Sequence, residues 1–454
     1  MLKEALLGSH QDFTKGDLNR AILLLAIPMI LEMCMESLFG IVDAFFVSRL
    51  GADAMATVGL TESLLTLVFG IAIGLSMSTT AFVARRIGEH DAEGAADAAV
   101  QAIILGLLVS FVVGIIGVGF APALLHMMGA TNAVEANSRY TQILLGGSAC
   151  IFLLFLINAI FRGAGDAAVA MRSLWLANII NIILDPCLIN GWGPFPKLGV
   201  LGAAVATTTG RGVGVAYQLW QLGSPKNRIV VKPSQIRFNP AVMWRLLRVS
   251  ITGILQFLVA TASWMALVRI VSLFGSAAVA GYTIAVRLLI FTILPSWGFS
   301  NSAATLVGQN LGAGQPQRAE DAVYRTASLN TIYMTGVFIL FVFFPQVFIG
   351  LFTRDPAVFE TATACLRTFG LAYISYAWGM VLTQAFNGAG DTITPTLINL
   401  LSFWVVQIPV AYILAIHYSL GPRGAFWAVP IADLVFTITA LILFRRGSWK
   451  RQKI

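Results

Sequence analysis

One hexapeptide recurs in the second half of this chain, and the recurrence constrains the fold more than any other feature. The segment Phe-Arg-Gly-Ala-Gly-Asp at Phe161 returns 225 positions later, at Phe386, as Phe-Asn-Gly-Ala-Gly-Asp. A second series of identities keeps an offset of 224, pairing Gly51, Gly74, Ser76, Ser78, Val83, Gly88, Asp97 and Ala98 with Gly275, Gly298, Ser300, Ser302, Val307, Gly312, Asp321 and Ala322. A register kept over this length indicates a duplicated unit.

The composition places that unit in a membrane. Hydrophobic residues make up 57% of the chain and charged residues only 11%, whereas a soluble domain has roughly a quarter charged residues. A helix needs about 20 apolar residues to cross a hydrocarbon layer of about 30 Å. Twelve such runs predict an all-α integral membrane protein with twelve transmembrane helices in two pseudo-symmetric six-helix lobes, near 21–48, 56–82, 98–120, 141–161, 173–190, 202–222, 249–272, 281–306, 326–348, 368–386, 397–417 and 424–443.

The distribution of positive charge predicts the topology. Most of the 29 lysine and arginine residues fall in the two tails and the even-numbered loops, so both termini are expected on the cytoplasmic side of the inner membrane. The longest polar connection predicts three parts: an N-terminal lobe at 1–222, a cytoplasmic linker at 223–248 and a C-terminal lobe at 249–454. Asn239-Pro240, followed by Trp244, suggests a short amphipathic helix on the inner membrane surface within that linker.

Several classes of function are disfavoured by what the sequence lacks. The four cysteines form no Cys-x-x-Cys pair and the four histidines are dispersed, so no zinc site is predicted. The chain has neither a His-Glu-x-x-His nor a Gly-x-Ser-x-Gly motif, which argues against a membrane-embedded hydrolase or other enzyme. We attribute the net charge of +8 to the membrane topology and not to nucleic-acid binding, because the sequence has no basic patch with interleaved aromatic residues.

Duplicated membrane units with a site between them are typical of secondary transporters. In this chain, six carboxylates within predicted spans indicate where that site lies. A charge in mid-membrane costs about 2.5–3.5 kcal/mol on insertion scales, so such residues are functional candidates. The duplicate positions of Asp43 and Asp185 are Leu267 and Val410, which shows that the symmetry of the repeat has been broken. Five of the six acids lie in the first half: Glu32, Glu36, Asp43, Glu62, Asp185 and, alone in the second half, Asp433.

The first span carries acids along one side. Glu36, Gly40 and Asp43 are spaced i, i+4, i+7, which aligns them on one face of a helix, and Glu32 extends the stripe. Pro28 precedes them and removes a helical hydrogen bond, so it is a candidate hinge. A packing kink without a gating role is the alternative for this proline.

The fifth span has a matching polar face, formed by Asn178, Asn181 and Asp185. Together with Asp43, these oxygens suit a proton or a hard monovalent ion such as Na+. Asn158 and Thr207 are the candidates that complete the ring. The alternative is that these polar groups only hold helices together, which is common in membranes.

These residues resemble multidrug and toxic compound extrusion (MATE) transporters, in particular their DinF-like branch. The resemblance implies two six-helix lobes and efflux of organic cations driven by inward proton or sodium flow, with no other cofactor. It further implies that the acid of the first helix is Asp43 and the hydroxyl of the sixth is Thr207. The matching segments, in chain order, are Pro28, Ile41-Val42-Asp43, the hexapeptide at Phe161, Asn181 with Asp185, and Gly202-Ala-Ala-Val-Ala-Thr207, and the fourth-helix amide falls on Asn158.

Two departures from the family pattern matter. The NorM-like branch is expected to carry acids in helices seven, eight and ten, where this chain offers Gln256, Arg287 and no acid. Glu36 stands where the DinF-like pattern leads us to expect Gln, and an added carboxylate favours proton coupling.

The rival within transport is a flippase for a lipid-linked oligosaccharide, which would favour a cavity lined with arginines such as Arg162, Arg172, Arg269 and Arg287. We expect a monomer that contacts membrane lipid and small cationic amphipathic substrates.

Overall fold

The protein folds entirely into helices and turns within the part of the chain that the structure describes. This structure is a computed structural model, and it describes residues 1–8, 11–131, 137–452 and 454. Lys453, one of the positive charges assigned to the C-terminal tail, lies outside the described residues. The described segments form twelve successive rods, and the all-α class predicted from the sequence is confirmed.

The twelve rods are longer than the apolar runs predicted from the sequence. A short helix at Leu2–Leu7 precedes them, and α10 is broken into two pieces by a turn. In chain order the rods are α1 (Leu18–Val47), α2 (Ala52–Gly88), α3 (Ala92–Met127), α4 (Ser138–Ala164), α5 (Ala167–Asn190), α6 (Val200–Leu222), α7 (Pro240–Val271), α8 (Ser276–Gly312), α9 (Pro316–Phe343), α10 (Pro356–Gly370 and Tyr373–Ala389), α11 (Ile393–His417) and α12 (Pro422–Arg445).

Length and apolar composition explain why most of these rods cross a membrane. Ten of the described helices are long and apolar enough to do so, and α6 and the broken α10 are the two rods outside that group. The 37 residues of α2 rise about 55 Å at 1.5 Å per residue, well beyond a hydrocarbon layer of about 30 Å. The helix therefore continues into the polar region, where hydropathy no longer marks it.

The sequence repeat reappears as repeated local geometry. The rods α2 and α8 are each 37 residues long, and each follows a glycine with positive φ, 99° at Gly51 and 95° at Gly275. The two hexapeptides both end a helix, with φ of 89° at Gly165 and 87° at Gly390.

The hydrogen bonds of these two turns also match. The N–H of Asp166 donates to the Phe161 carbonyl at 2.8 Å, and the N–H of Asp391 donates to the Phe386 carbonyl at 2.9 Å. A bond from the N–H of a residue to the carbonyl five residues earlier, with a left-handed residue just before the donor, is the Schellman cap. The repeated motif is thus a helix C-cap that requires glycine at its left-handed position.

The two halves meet along α1, α2, α7 and α8, and they touch most closely at one end. A Cβ atom at Gly88 would lie 1.9 Å from the carbonyl oxygen of Gln309, and one at Gly312 would lie 2.2 Å from the carbonyl oxygen of Arg85. At the other ends of the same helices, a Cβ atom at Gly51 or Gly275 would have no neighbour within 4 Å. The halves are therefore closed at the end with the α2–α3 and α8–α9 loops.

Gly88→Ala should disfavour this closed end, because the backbone of Gln309 cannot yield to a methyl group at 1.9 Å. We expect the distance between spin labels placed in the α2–α3 and α8–α9 loops to increase, as measured by pulsed electron paramagnetic resonance. Gly59→Ala on the same helix is the matched control, because its Cβ atom would meet nothing within 4 Å. An unchanged distance distribution in Gly88→Ala would show that this contact does not hold the halves together.

The connection between the halves is shorter than expected. The predicted short surface helix is wrong, since Pro240 begins the long rod α7 and Trp244 lies in its second turn. The side chain of Asn239 accepts from the Val242 N–H and caps this helix. Its Nδ2 donates to Asp97 Oδ2 at 2.8 Å, which ties the end of the connection to α3. The residues between α6 and α7 are 223–239.

Candidate ion-coupling site and central cavity

Asn181 is the centre of a polar cluster inside the first half. Its Nδ2 donates to Thr207 Oγ1 at 3.0 Å and lies 3.5 Å from Asp185 Oδ1. Asn181 and Asp185 stand one turn apart on α5, and Thr207 faces them from α6, which packs along α5. Both α5 residues are buried, with Asp185 fully enclosed. The structure thus brings together three of the residues predicted for the ion site.

Two oxygen atoms of this cluster lack partners. Among the described residues, no hydrogen-bond donor reaches Asn181 Oδ1 or Asp185 Oδ2, although both atoms are buried. A buried carboxylate or amide oxygen without a partner costs free energy, and a bound proton or cation would remove that cost. The described residues contain no group of three or more His, Cys, Asp or Glu side chains arranged to hold a metal, so an ion here would rely on amide and hydroxyl oxygens as well.

Asp43 of α1 lies close enough to this cluster to interact electrostatically with Asp185. The charges of Glu62 and Arg211 also act on Asp43, the first repelling it and the second attracting it. Tyr140, buried at the start of α4, interacts with Asp43 and Asp185 as well. Three acids, Asp43, Asp185 and Glu62, therefore share a region in which Arg211 supplies opposite charge.

Arg211 is a member of this region that the sequence analysis did not assign. It interacts electrostatically with Glu36 and Asp43, and its guanidinium carbon lies 5.5 Å from the centre of the Phe69 ring. The signal was present in the sequence, because Arg211 is four residues after Thr207 and residues at i and i+4 share a helix face.

Asn158 does not join the ring, contrary to expectation. Its Nδ2 donates to Glu32 Oε1 at 3.0 Å, and its Oδ1 accepts from Gln218 Nε2 at 2.6 Å. Arg162, one turn further along α4, donates to the same Glu32 oxygen at 3.1 Å. Because Asn158 and Arg162 lie on one face of α4, both reach the acid nearest the start of the α1 stripe rather than Asp43.

This buried ion pair faces a cavity of about 1030 Å³ between the two halves, open space at its mouth included. Glu36 also lines the cavity, and its Oε2 accepts from Asn178 Nδ2 at 3.2 Å. The second half contributes Trp297 and Asn301 from α8 to the same wall. The cavity is therefore amphipathic, and the first half supplies its charges.

The repeated hexapeptide contributes one side chain from each half to the central cavity. Arg162 and Asn387 occupy the same place in the two motifs, and both line the cavity. Asn387 Nδ2 donates to Gln384 Oε1 at 3.0 Å, whereas Arg162 pairs with Glu32. Each copy of the hexapeptide thus places its second residue, arginine in one half and asparagine in the other, in the cavity wall.

Pro28 is buried in α1, which continues as one helix from Leu18 to Val47. A proline has no N–H, so the carbonyl of Leu24 loses its helical partner at this point. A Cβ atom at Gly298 of α8 would lie 2.7 Å from the Ile30 nitrogen. The second half therefore packs against α1 directly after the turn in which Pro28 leaves a carbonyl without its helical partner.

Comparison with known proteins identifies the chain. The family model MatE matches residues 28–187 and again residues 253–413, which together exceed half of the chain. The chain belongs to the MATE family. MATE proteins are transporters rather than enzymes, and this chain is a multi-pass membrane transporter.

Relatives cover almost the full length of this MATE protein. A probable multidrug resistance protein NorM of Thermotoga maritima is 27% identical over 96% of this chain and 94% of its own length. An FAD transporter of Shewanella oneidensis is 27% identical over 94% of this chain and 95% of its own length. A multidrug resistance MATE family transporter in an outward-facing conformation matches with a TM-score of 0.90 and 28% identity, covering 96% and 97% of the two chains.

Proposed function

We propose that this MATE transporter is an inner-membrane antiporter that exports cationic amphipathic compounds in exchange for protons or sodium ions by alternating access. The observation that carries the proposal is the pair of buried, unpartnered oxygens on Asn181 and Asp185 beside the carboxylate of Asp43. Multidrug efflux is supported by the names of the relatives.

Asp43, Asp185, Asn181 and Thr207 would hold the coupling ion. An Na+ ion takes oxygen ligands of this kind, and a proton would be shared by the two acids because like charges disfavour double ionisation. The Thr207 hydroxyl already accepts from Asn181, so its remaining lone pair is free for the ion.

Glu36 would connect the ion to the substrate. It lines the central cavity and interacts electrostatically with Arg211, which also interacts with Asp43. When Asp43 is neutralised by an ion, the positive charge of Arg211 acts more strongly on Glu36, and the cavity holds a cationic substrate less tightly. Substrate and ion thus favour different states, which is the condition for coupling.

Pro28 would serve as the hinge through which α1 responds. The missing hydrogen bond at Leu24 lowers the cost of bending there. Since Asp43 and Glu36 both lie beyond Pro28 on α1, a bend would move them together relative to α5 and α6.

The closed end supports an outward-open state in the predicted topology. The α2–α3 and α8–α9 loops are even-numbered loops, which the distribution of positive charge assigns to the cytoplasm. Contact between Gly88 and Gln309 closes that side, so the central cavity would be reached from outside.

The charges of the central cavity favour cations over anions. Glu32 and Glu36 line it, and Arg162 alone opposes them among the charged residues of its described wall. Of the four arginines that suggested an oligosaccharide flippase, only Arg162 lines the cavity, and it is paired with Glu32. We therefore propose organic cations as substrates, although one relative is named as a transporter of FAD.

Counterflow of ethidium in proteoliposomes tests the proposal, with the pH gradient and the sodium gradient imposed separately. We expect one of the two gradients to drive ethidium accumulation and excess FAD to leave it unchanged. Empty liposomes under the same gradients are the control. Failure of both gradients to drive ethidium in protein that binds it would refute ion-coupled antiport.

A further inference from the structure

The second half contains an acidic, aromatic cavity that the coupling mechanism does not use. It measures about 520 Å³, open space at its mouth included, and lies wholly among residues of α7 to α12. Among the described residues of its wall, Asp433 of α12 alone is charged. The carboxylate is 7% exposed, and no charged group in the described part of the chain acts on it. The acid of the second half thus sits in a cavity without a counter-charge.

Five aromatic rings belong to the remaining wall. They are contributed by three rods, α7, α10 and α11. Their arrangement is fixed by contacts such as the hydrogen bond between the Tyr373 hydroxyl and Thr292 Oγ1 at 2.6 Å and the edge-to-face packing of Trp264 on Phe369 at 6.2 Å. The five rings are those of Trp264, Phe369, Tyr373, Tyr376 and Phe403.

Gln407 of α11 lies in the same wall as Asp433. Gln407 lines the cavity and is 3% exposed, and among the described residues nothing accepts a hydrogen bond from its Nε2. Ser402, five residues earlier and fully buried, has an equally unpartnered hydroxyl. Because a side-chain amide offers N–H on one side and a carbonyl on the other, Gln407 can meet either polarity in a ligand.

The backbone of α11 is unusual at this place. Residues Leu400–Gln407 form a π-helix, in which hydrogen bonds join residues five apart. Such segments are rare in proteins, and those that occur are often found at functional sites. The wider turn brings Ser402 and Gln407 towards one side, whereas an α-helix with 3.6 residues per turn would point them apart. The distortion thus ends at Gln407, the polar residue of α11 that lines the cavity.

We propose that this cavity is a second binding site, for a small organic ammonium ion. An unpaired carboxylate in a membrane protein interior is costly, and a cation removes the cost. A hard metal ion needs several oxygen ligands, whereas this wall offers one carboxylate, one amide and five rings. Aromatic faces with one acid are the surroundings that bind ammonium groups through cation–π attraction.

Equilibrium binding of radiolabelled choline to the purified protein in nanodiscs tests this site without any ion gradient. We expect saturable binding that tetramethylammonium displaces. The neutral isostere 3,3-dimethylbutan-1-ol should compete at least tenfold less well, since it keeps the shape and lacks the charge. Equal competition by the neutral compound, or no saturable choline binding, would overturn the proposal in the unaltered protein.

Two variants locate the site. Asp433→Asn should weaken choline binding at least tenfold, whereas Asp43→Asn in the first half should change it less than twofold. Wild-type affinity in Asp433→Asn, or loss of binding in Asp43→Asn, would place choline elsewhere and refute the second site. Neither outcome bears on ion-coupled efflux, which is measured by counterflow. The proposed ammonium site and the proposed antiport can therefore be refuted independently.

Discussion

Asp43→Asn is expected to abolish ion-driven efflux, with accumulation of ethidium in proteoliposomes reduced at least a hundredfold. Asparagine keeps the size of the side chain and one oxygen, but it can neither carry the charge that repels Asp185 nor take up a proton. The interaction of Asp43 with Arg211 is lost at the same time, so an ion would no longer alter the field at Glu36. The measurement is the initial rate of gradient-driven uptake at equal amounts of reconstituted protein.

The matched control is Asp53→Asn, in the first turn of α2, where an exposed acid at the same end of the protein lies outside the cluster. We expect this variant to retain the uptake rate of the unaltered protein. Undiminished uptake in Asp43→Asn would show that this residue is not required for coupling. A thermal unfolding midpoint within a few degrees of the unaltered protein is required of both variants.

Arg162→Met is expected to lower the free energy of unfolding by about 3–5 kcal/mol, the usual cost of breaking a buried ion pair from one side. Glu32 is 1% exposed, and its Oε2 already lacks a partner among the described residues. Without Arg162 only the amide of Asn158 would stabilise its charge. The midpoint of thermal unfolding in detergent measures the effect.

The double variant Arg162→Met with Glu32→Gln separates loss of the pair from loss of packing. Removing both charges should recover most of the stability, because a neutral amide does not need a counter-charge. Arg172→Met on α5 is the control, since this half-buried arginine donates only to the Ala168 carbonyl of its own helix in the described structure. A double variant no more stable than Arg162→Met would show that the pair does not act as a unit.

Periodicity was sufficient to predict much of the architecture and part of the site. Asn181 and Asp185 are one helical turn apart, and such spacing can be read without a structure. Thr207 required the additional assumption that α5 and α6 pack together, which consecutive helices joined by a short loop usually do. The structure brings these three residues within hydrogen-bond distance.

Contacts between distant helices could not be predicted in this way. Asn158 is on α4, and its depth along α1 decides whether it meets Asp43 or Glu32, which share one face of α1 about 16 Å apart. Arg162, one turn further along α4, also pairs with Glu32, so both contacts set α4 at the depth of Glu32. A pattern of polar residues shows that a face is buried, but it does not show which buried partner lies opposite.

The π-helix of α11 and the extent of α7 were missed for a different reason. The segment Leu400–Gln407 is apolar and reads as ordinary helix, because a change in hydrogen-bond register leaves no mark on hydropathy. The first two turns of α7 carry charged residues and resemble a linker, yet the Asn239 cap starts the helix there. Helices that continue beyond the lipid lose the apolar signal before they end.

Direct binding of the coupling ion tests the central claim that the first half holds it. Radioactive sodium binding, and proton release on addition of ethidium in unbuffered solution, can be measured on the purified protein with no membrane gradient. Our account predicts that one of these signals is present in the unaltered protein, is lost in Asp43→Asn and in Asp185→Asn, and persists in Asp433→Asn. The account would be contradicted if the signal survived in both first-half variants or vanished only in Asp433→Asn.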